Sequence, residues 1–226
     1  VYIRNMKILI FNLFFLVSLF TGSNVIAECV NLCNDAWWNK INSNELTEYT
    51  KNIKSINIRD DYGFTPLHFA VSNNHPKKIQ ILLNMGANVN AKSHYGFTPI
   101  YHAVGKNGDI KIVNLLIISG AKVNIKNRDG ITPLHYAAWG TADKIESLLE
   151  AGANPLTLAE RKIGTEPRPL LLDAVCTAPI AMVMLLLDSQ PLPQIEAALG
   201  DDIVGSMYLV ACARRSYKLV QWFAKS

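Results

Sequence analysis

The sequence predicts an all-α solenoid of stacked helix-turn-helix units joined by β-turn or hairpin fingers, and three observations carry that expectation. A six-residue block occurs three times, as Thr65-Pro66-Leu67-His68-Phe69-Ala70, Thr98-Pro99-Ile100-Tyr101-His102-Ala103 and Thr132-Pro133-Leu134-His135-Tyr136-Ala137. The copies are spaced by 33 and then 34 residues. Each is preceded two residues upstream by a glycine (Gly63, Gly96, Gly130) and followed by an apolar stretch ending in Gly-Ala, at Gly86-Ala87, Gly120-Ala121 and Gly152-Ala153. A fixed period of this length marks units that each bury a face only against the next one, so a row forms in place of a single centre.

Within a unit, every residue type has a reason. Thr65, Thr98 and Thr132 suit the position just before a helix, where a side-chain oxygen caps backbone donors. The proline after each suits the first helical position, where no amide donor is missed. Ala70, Ala103 and Ala137 are small where neighbouring first helices must approach. Ile81-Leu82-Leu83, Leu115-Leu116-Ile117 and Leu148-Leu149 supply the apolar face of the second helices, and the Gly-Ala pairs end them.

The flanks are expected to cap the row. Residues 28–55 read as a degenerate first repeat with two short helices, over Leu32 to Trp38 and Glu45 to Ile53. Residues 56–154 hold the three clear repeats, and Ile56-Asn57-Ile58 matches Val89-Asn90-Ala91 and Val123-Asn124-Ile125. Residues 155–226 read as a divergent fourth repeat followed by a C-terminal cap. Its finger runs from Leu156 to Pro167, Pro169 keeps the helix-starting position, and the second helix covers Ile180 to Leu187. Pro191 and Pro193 forbid a continuous helix there, so a short helix near Ile195 to Leu199 and a closing helix from Tyr217 to Ala224 are expected.

The block and its period resemble the ankyrin repeat, whose signature is T-P-L-H-x-A. The resemblance implies that His68 and His135 are structural residues bonding between neighbouring repeats, with Tyr101 standing in their place in the second copy. It also implies a partner protein gripped by the fingers and the exposed side of the first helices. On this chain those positions are Asp61, Tyr62, Phe64, Ser72 and Asn73, then His94, Tyr95, Phe97 and Lys106, then Arg128, Asp129, Ile131 and Trp139. Tyr, Trp and Arg are the side chains most enriched at binding hot spots, which favours Tyr62, Tyr95, Arg128 and Trp139. Phe64, Phe97 and Ile131 also suit finger-on-finger packing.

Other function classes find little support. The chain of 226 residues is 50% hydrophobic and 18% charged with a net charge of +4, enough to build a core and too weakly basic for a dedicated nucleic-acid binder. No GxSxG, HExxH, Walker loop, EF-hand loop or zinc-spaced Cys/His set occurs. Asp60-Asp61 and Asp201-Asp202 are adjacent carboxylates whose side chains diverge, and Asp173, Asp188, Arg214 and Arg215 have no catalytic spacing. No enzyme activity, cofactor or metal is expected.

The first 27 residues read as an address. Lys7 precedes an apolar run from Ile8 to Phe20, and Val25-Ile26-Ala27 ends in a small residue suited to cleavage. The run falls short of the roughly 20 residues that span a bilayer, which favours a cleaved signal peptide over an uncleaved membrane tether. Val1 to Asn5 lie upstream of Met6 and read as a start placed too early. Export to the periplasm or beyond the cell follows, with no membrane insertion of the mature domain. Four cysteines leave three full pairings open. Cys29 and Cys33, four residues apart in an oxidising compartment, are a candidate disulfide, while Cys176 and Cys212 suit buried thiols. The combined expectation is a non-enzymatic binding module of a bacterial cell envelope. A secreted effector acting on a host protein is the alternative, with an enzyme in the divergent C-terminal units as a further one.

Overall fold

The computed structural model describes residues 32–51, 53, 55–105, 107–138, 140–159, 168–170, 174, 180–190, 192–200, 204, 205, 207, 211 and 217–225. Helices α1 (Asp35–Lys40) and α2 (Ser43–Thr50) precede three further pairs. These are α3 (Pro66–Ser72) with α4 (Pro76–Asn84), α5 (Pro99–Val104) with α6 (Ile110–Ile118), and α7 (Pro133–Ala137) with α8 (Ala142–Glu150). A short antiparallel pair, β1 (Leu158–Ala159) with β2 (Arg168–Pro169), leads to α9 (Ile180–Asp188), α10 (Leu192–Leu199) and α11 (Tyr217–Lys225).

The helices stack in sequence order, as a solenoid requires. First helices touch in succession, α1 on α3, α3 on α5 and α5 on α7, while α2 meets α4, α6 meets α8 and α8 meets α9. One apolar cluster runs through the stack from Leu32 to Leu219. It repeats with the sequence period, taking Leu67, Ile100 and Leu134 from the first helices and Ile79, Ile112 and Ile145 from the second, all 1% exposed or less. Each is worth about 1.5–3 kcal/mol of burial. Ala70, Ala103 and Ala137 are fully buried where the first helices meet.

Helices α3, α5 and α7 each begin with proline at the first position, and the caps differ between repeats. In the first, Thr65 and His68 form a reciprocal capping box. The ring Nδ1 accepts the Thr65 backbone N–H at 3.0 Å and lies 2.9 Å from its hydroxyl. Nδ1 is therefore unprotonated, and Nε2–H donates to the Phe97 carbonyl of the next finger at 3.1 Å. Thr132 and His135 form the same box, but the buried His135 Nε2 has no partner, so the expected bond between repeats is made by His68 and not by His135. The second repeat departs from the expected cap. With Tyr101 in place of histidine, Thr98 makes no side-chain cap bond, and its buried hydroxyl has no partner.

A second periodic device ties the ends of the second helices together. Asn57 donates through Nδ2 to the Gly86 carbonyl at 3.2 Å and accepts the Asn88 N–H at 2.7 Å. Asn90 does the same to Gly120 and Lys122 at 2.9 and 2.8 Å, and Asn124 to Gly152 and Asn154 at 2.7 and 2.8 Å. Each amide satisfies a helix-end carbonyl that the helix itself leaves open. The ladder stops where Leu156 occupies the next equivalent position.

Buried lysines close two of the first helices. Lys78 donates to the Trp38 carbonyl at the end of α1, and Lys144 to the Gly105 carbonyl after α5 at 2.6 Å. Burial holds both ammonium groups below the usual lysine range.

At the C-terminal end, Pro169 lies in β2 just before the helical Leu170, unlike the other three prolines, which open their helices. The two strands bracket residues 160–167, which lie outside the described residues. Helix α10 starts earlier than expected, at Leu192, because Pro193 is tolerated in a first turn. The Trp222 indole N–H reaches the Asp188 carboxylate at 2.8 Å and ties α11 to α9. The expected signal peptide lies wholly outside the described residues, and no described helix is long and apolar enough to cross a membrane.

Candidate binding face of the fingers

The fingers between helix pairs are tight turns held by their own polar side chains. Asp60 Oδ1 accepts the backbone N–H groups of Tyr62 and Phe64 at 3.0 and 2.7 Å, and Asn127 Oδ1 those of Asp129 and Ile131 at 3.0 and 2.9 Å. Ser93 makes the shorter equivalent to Phe97 at 3.2 Å. Neighbouring fingers are then laced by main-chain bonds, His94 N–H to Tyr62 O at 2.8 Å and Arg128 N–H to Tyr95 O at 3.0 Å. Gly63 permits that approach. Its φ is +79°, and a Cβ there would stand 2.7 Å from the His94 ring.

This lacing turns the tips outward as a set. Tyr62 is 59% exposed and Tyr95 50%, while Asp61, His94, Arg128 and Asp129 are exposed beside them. Phe64 and Phe97 turn the other way. Phe64 meets the rings of His68, Phe69 and His102 edge-on, and Phe97 those of Tyr101 and Tyr136. Ile131 is half-buried. Ser72 is exposed with its hydroxyl 3.0 Å from His102 Nδ1, and Asn73 turns back to the Phe69 carbonyl at the end of α3. Lys106 and Trp139 lie outside the described residues.

The histidines beneath the tips are committed to structure. Burial, with the adjacent His102 adding to it, lowers the His68 pKa to about 3, and burial lowers that of His135 to about 4. Both ring nitrogens of His68 are occupied by the cap and the bridge to Phe97. A neutral ring with both nitrogens engaged has no proton to exchange with a substrate. No cluster of metal-ligating side chains is present among the described residues.

The surface carries one set that the sequence reasoning passed over. Arg59, Lys92 and Lys126 recur at the finger bases with the same 33- and 34-residue spacing. Arg59 Nη1 donates to the Lys92 carbonyl at 2.5 Å, and Lys92 Nζ lies 3.4 Å from the Lys126 carbonyl. Beside them a shallow cleft of about 320 Å³ is lined by Lys92, His94, Gly96, Lys126 and Arg128, with Ser93 and Asn127 at its floor.

A family model described as ankyrin repeats, in three copies, matches residues 36–127 and 95–159, together more than half of the chain. The chain belongs to the ankyrin repeat family. No curated protein matches it. As an ankyrin array it is a protein–protein interaction module, and the match reaches back over α1 and α2, so the degenerate first pair falls inside the ankyrin region.

The cysteines add one fact. Cys33 is disulfide-bonded, and Cys29, Cys176 and Cys212 all lie outside the described residues.

Proposed function

We propose that this ankyrin protein is a non-enzymatic adaptor, exported into a bacterial cell envelope, that captures a partner protein on its laced fingers and the adjoining side of its first helices. The observation that carries the reading is the pair Tyr62 and Tyr95. Two large aromatic side chains, each half or more exposed, are held in register by main-chain bonds and contribute nothing to the core. Rigid aromatic tips bury much area on binding while freezing few torsions. Export is supported by the leader-like residues 1–27 and by the disulfide at Cys33, which we pair with Cys29, since such bonds persist in oxidising compartments.

The test replaces Tyr62 and Tyr95 with alanine and compares what the wild-type and variant chains retain from the native envelope. The expected result is an unchanged melting temperature and loss of one specific retained protein. Equal retention by both chains overturns the binding face, and a large drop in melting temperature assigns the tyrosines to the core. For export, N-terminal sequencing of the processed chain is expected to start at Glu28, and an unprocessed chain confined to the cytoplasm overturns it.

A further inference from the structure

The basic row at the finger bases bridges neighbouring fingers, Arg59 donating to the Gly63 carbonyl as well as to that of Lys92, and keeps its charge at the surface. Arg59, Lys92 and Lys126 are exposed, and neither Lys92 nor Arg128 meets a carboxylate among the described residues. The first two side chains each reach the main chain of the next finger at the next member of the row. Three cations are thus set at one per repeat, with a fourth, Arg128, at the edge of the cleft between the second and third fingers.

We propose that this row binds an extended acidic peptide segment of the partner, with a carboxylate at every third residue. Helices packed in a row stand about 8–10 Å apart, and cations set at one per repeat are expected at that interval. An extended chain of the polyproline type rises about 3.1 Å per residue with three residues per turn, so acids three apart fall on one edge about 9 Å from each other. A helix would need a different register, because its three-residue step advances only about 4.5 Å. A nucleic-acid strand places a charge about every 3.4 Å, so most of its phosphates would find no cation in this row. Exposed single pairs are weak, and the row acts by adding several in register. The inference rests on the finger face being the binding face and names the chemistry of what it takes.

The probe is a fluorescent peptide of four Glu-Pro-Pro triplets, titrated with the full chain and followed by anisotropy. Its controls are an isomer of the same composition with glutamates alternately two and four residues apart, a Lys-Pro-Pro peptide, and a dodecamer of thymidylate. The expected result is binding of Glu-Pro-Pro that weakens with salt, with the isomer roughly tenfold weaker. In the Lys92→Glu/Lys126→Glu chain that binding is lost and the Lys-Pro-Pro peptide is taken instead, a gain that an unfolded variant does not show. Should this double variant not fold, Lys92→Gln is expected to weaken Glu-Pro-Pro binding with no shift in melting temperature. Equal affinity for the isomer, indifference to the substitutions, or tighter binding of the oligonucleotide overturns the proposal. If the peptide fails while partner retention still depends on Tyr62 and Tyr95, only the acidic ligand is wrong. If neither effect is seen, the face itself is wrong.

Discussion

The Tyr101 hydroxyl lies 2.6 Å from the Ile131 carbonyl oxygen, the same step from first helix to following finger that the His68 imidazole makes to Phe97. It lies equally close to the Ile125 carbonyl. The substitution thus keeps the bridge to the next repeat and gives up the cap on its own, because a phenol at that position cannot turn a ring nitrogen back to Thr98. Burial pushes the Tyr101 phenol well above its usual range, so it remains a donor throughout the working pH range.

Removing either half of that exchange has opposite consequences. Tyr101→Phe removes the hydroxyl's bond to the part-buried Ile125 and Ile131 carbonyls, the second of which still accepts the Asn127 N–H, and is expected to cost about 1 kcal/mol in urea unfolding. Thr98→Val removes a buried hydroxyl that has no partner and is expected to be neutral or stabilising, whereas Thr65→Val, which loses its bond to His68, is expected to cost about 1 kcal/mol.

Acid is expected to weaken the stack through the two capping histidines. Their unfolded value is 6.5, and the folded chain holds them neutral down to about 3 at His68 and about 4 at His135. Between those values the unfolded chain binds more protons, so stability is complete above pH 6.5 and is lost as pH falls towards the folded values. At pH 5 each ring is expected to cost about 2 kcal/mol. Urea unfolding at pH 7 and pH 5 measures the loss, and His68→Gln should remove roughly half of the difference.

The asparagine ladder should behave as a set of clamps. Asn90→Ala opens both the Gly120 carbonyl and the Lys122 N–H, and about 1–2 kcal/mol of unfolding free energy is expected to go with them. Amide exchange at Lys122 should quicken, with no change at the Asn57 rung if the clamps act locally.

Gly63 and Gly86 separate close approach from backbone conformation. Both have positive φ, at +79° and +83°, yet a Cβ at Gly63 would meet His94 while one at Gly86 would meet nothing within 4 Å. Gly86→Ala is expected to cost about 1 kcal/mol from the left-handed conformation alone. Gly63→Ala should cost more and expose the His94 amide to exchange, because the bond to Tyr62 must lengthen.

Much of this was legible in the sequence for a definite reason: threonine-proline, glycine-alanine and the apolar doublets each encode a local event at a fixed spacing. His68 as a bridge between repeats was implied by the family resemblance, and the apolar run Ile180 to Leu187 marked α9 to within a residue. What escaped was whatever depended on the neighbouring repeat. Nothing local marks Thr98 as uncapped, since its partner's identity three residues on decides that. The roles of Asn57, Asn90 and Asn124 needed the next helix end in view, although their spacing was visible. Arg59, Lys92 and Lys126 share only charge, and a shared charge in an otherwise variable turn does not register as a motif. Asn73 carried no signal that it would fold back on its own helix.

The end of the asparagine ladder at Leu156 gives the array a direction. Three junctions are stapled by a side-chain amide, whereas among the described residues the junction beyond Leu156 is held by apolar contact between α8 and α9 and by the short hairpin. Pulled from its two ends, the stack is expected to part at that seam first, leaving the stapled units, and the finger tips they carry, intact.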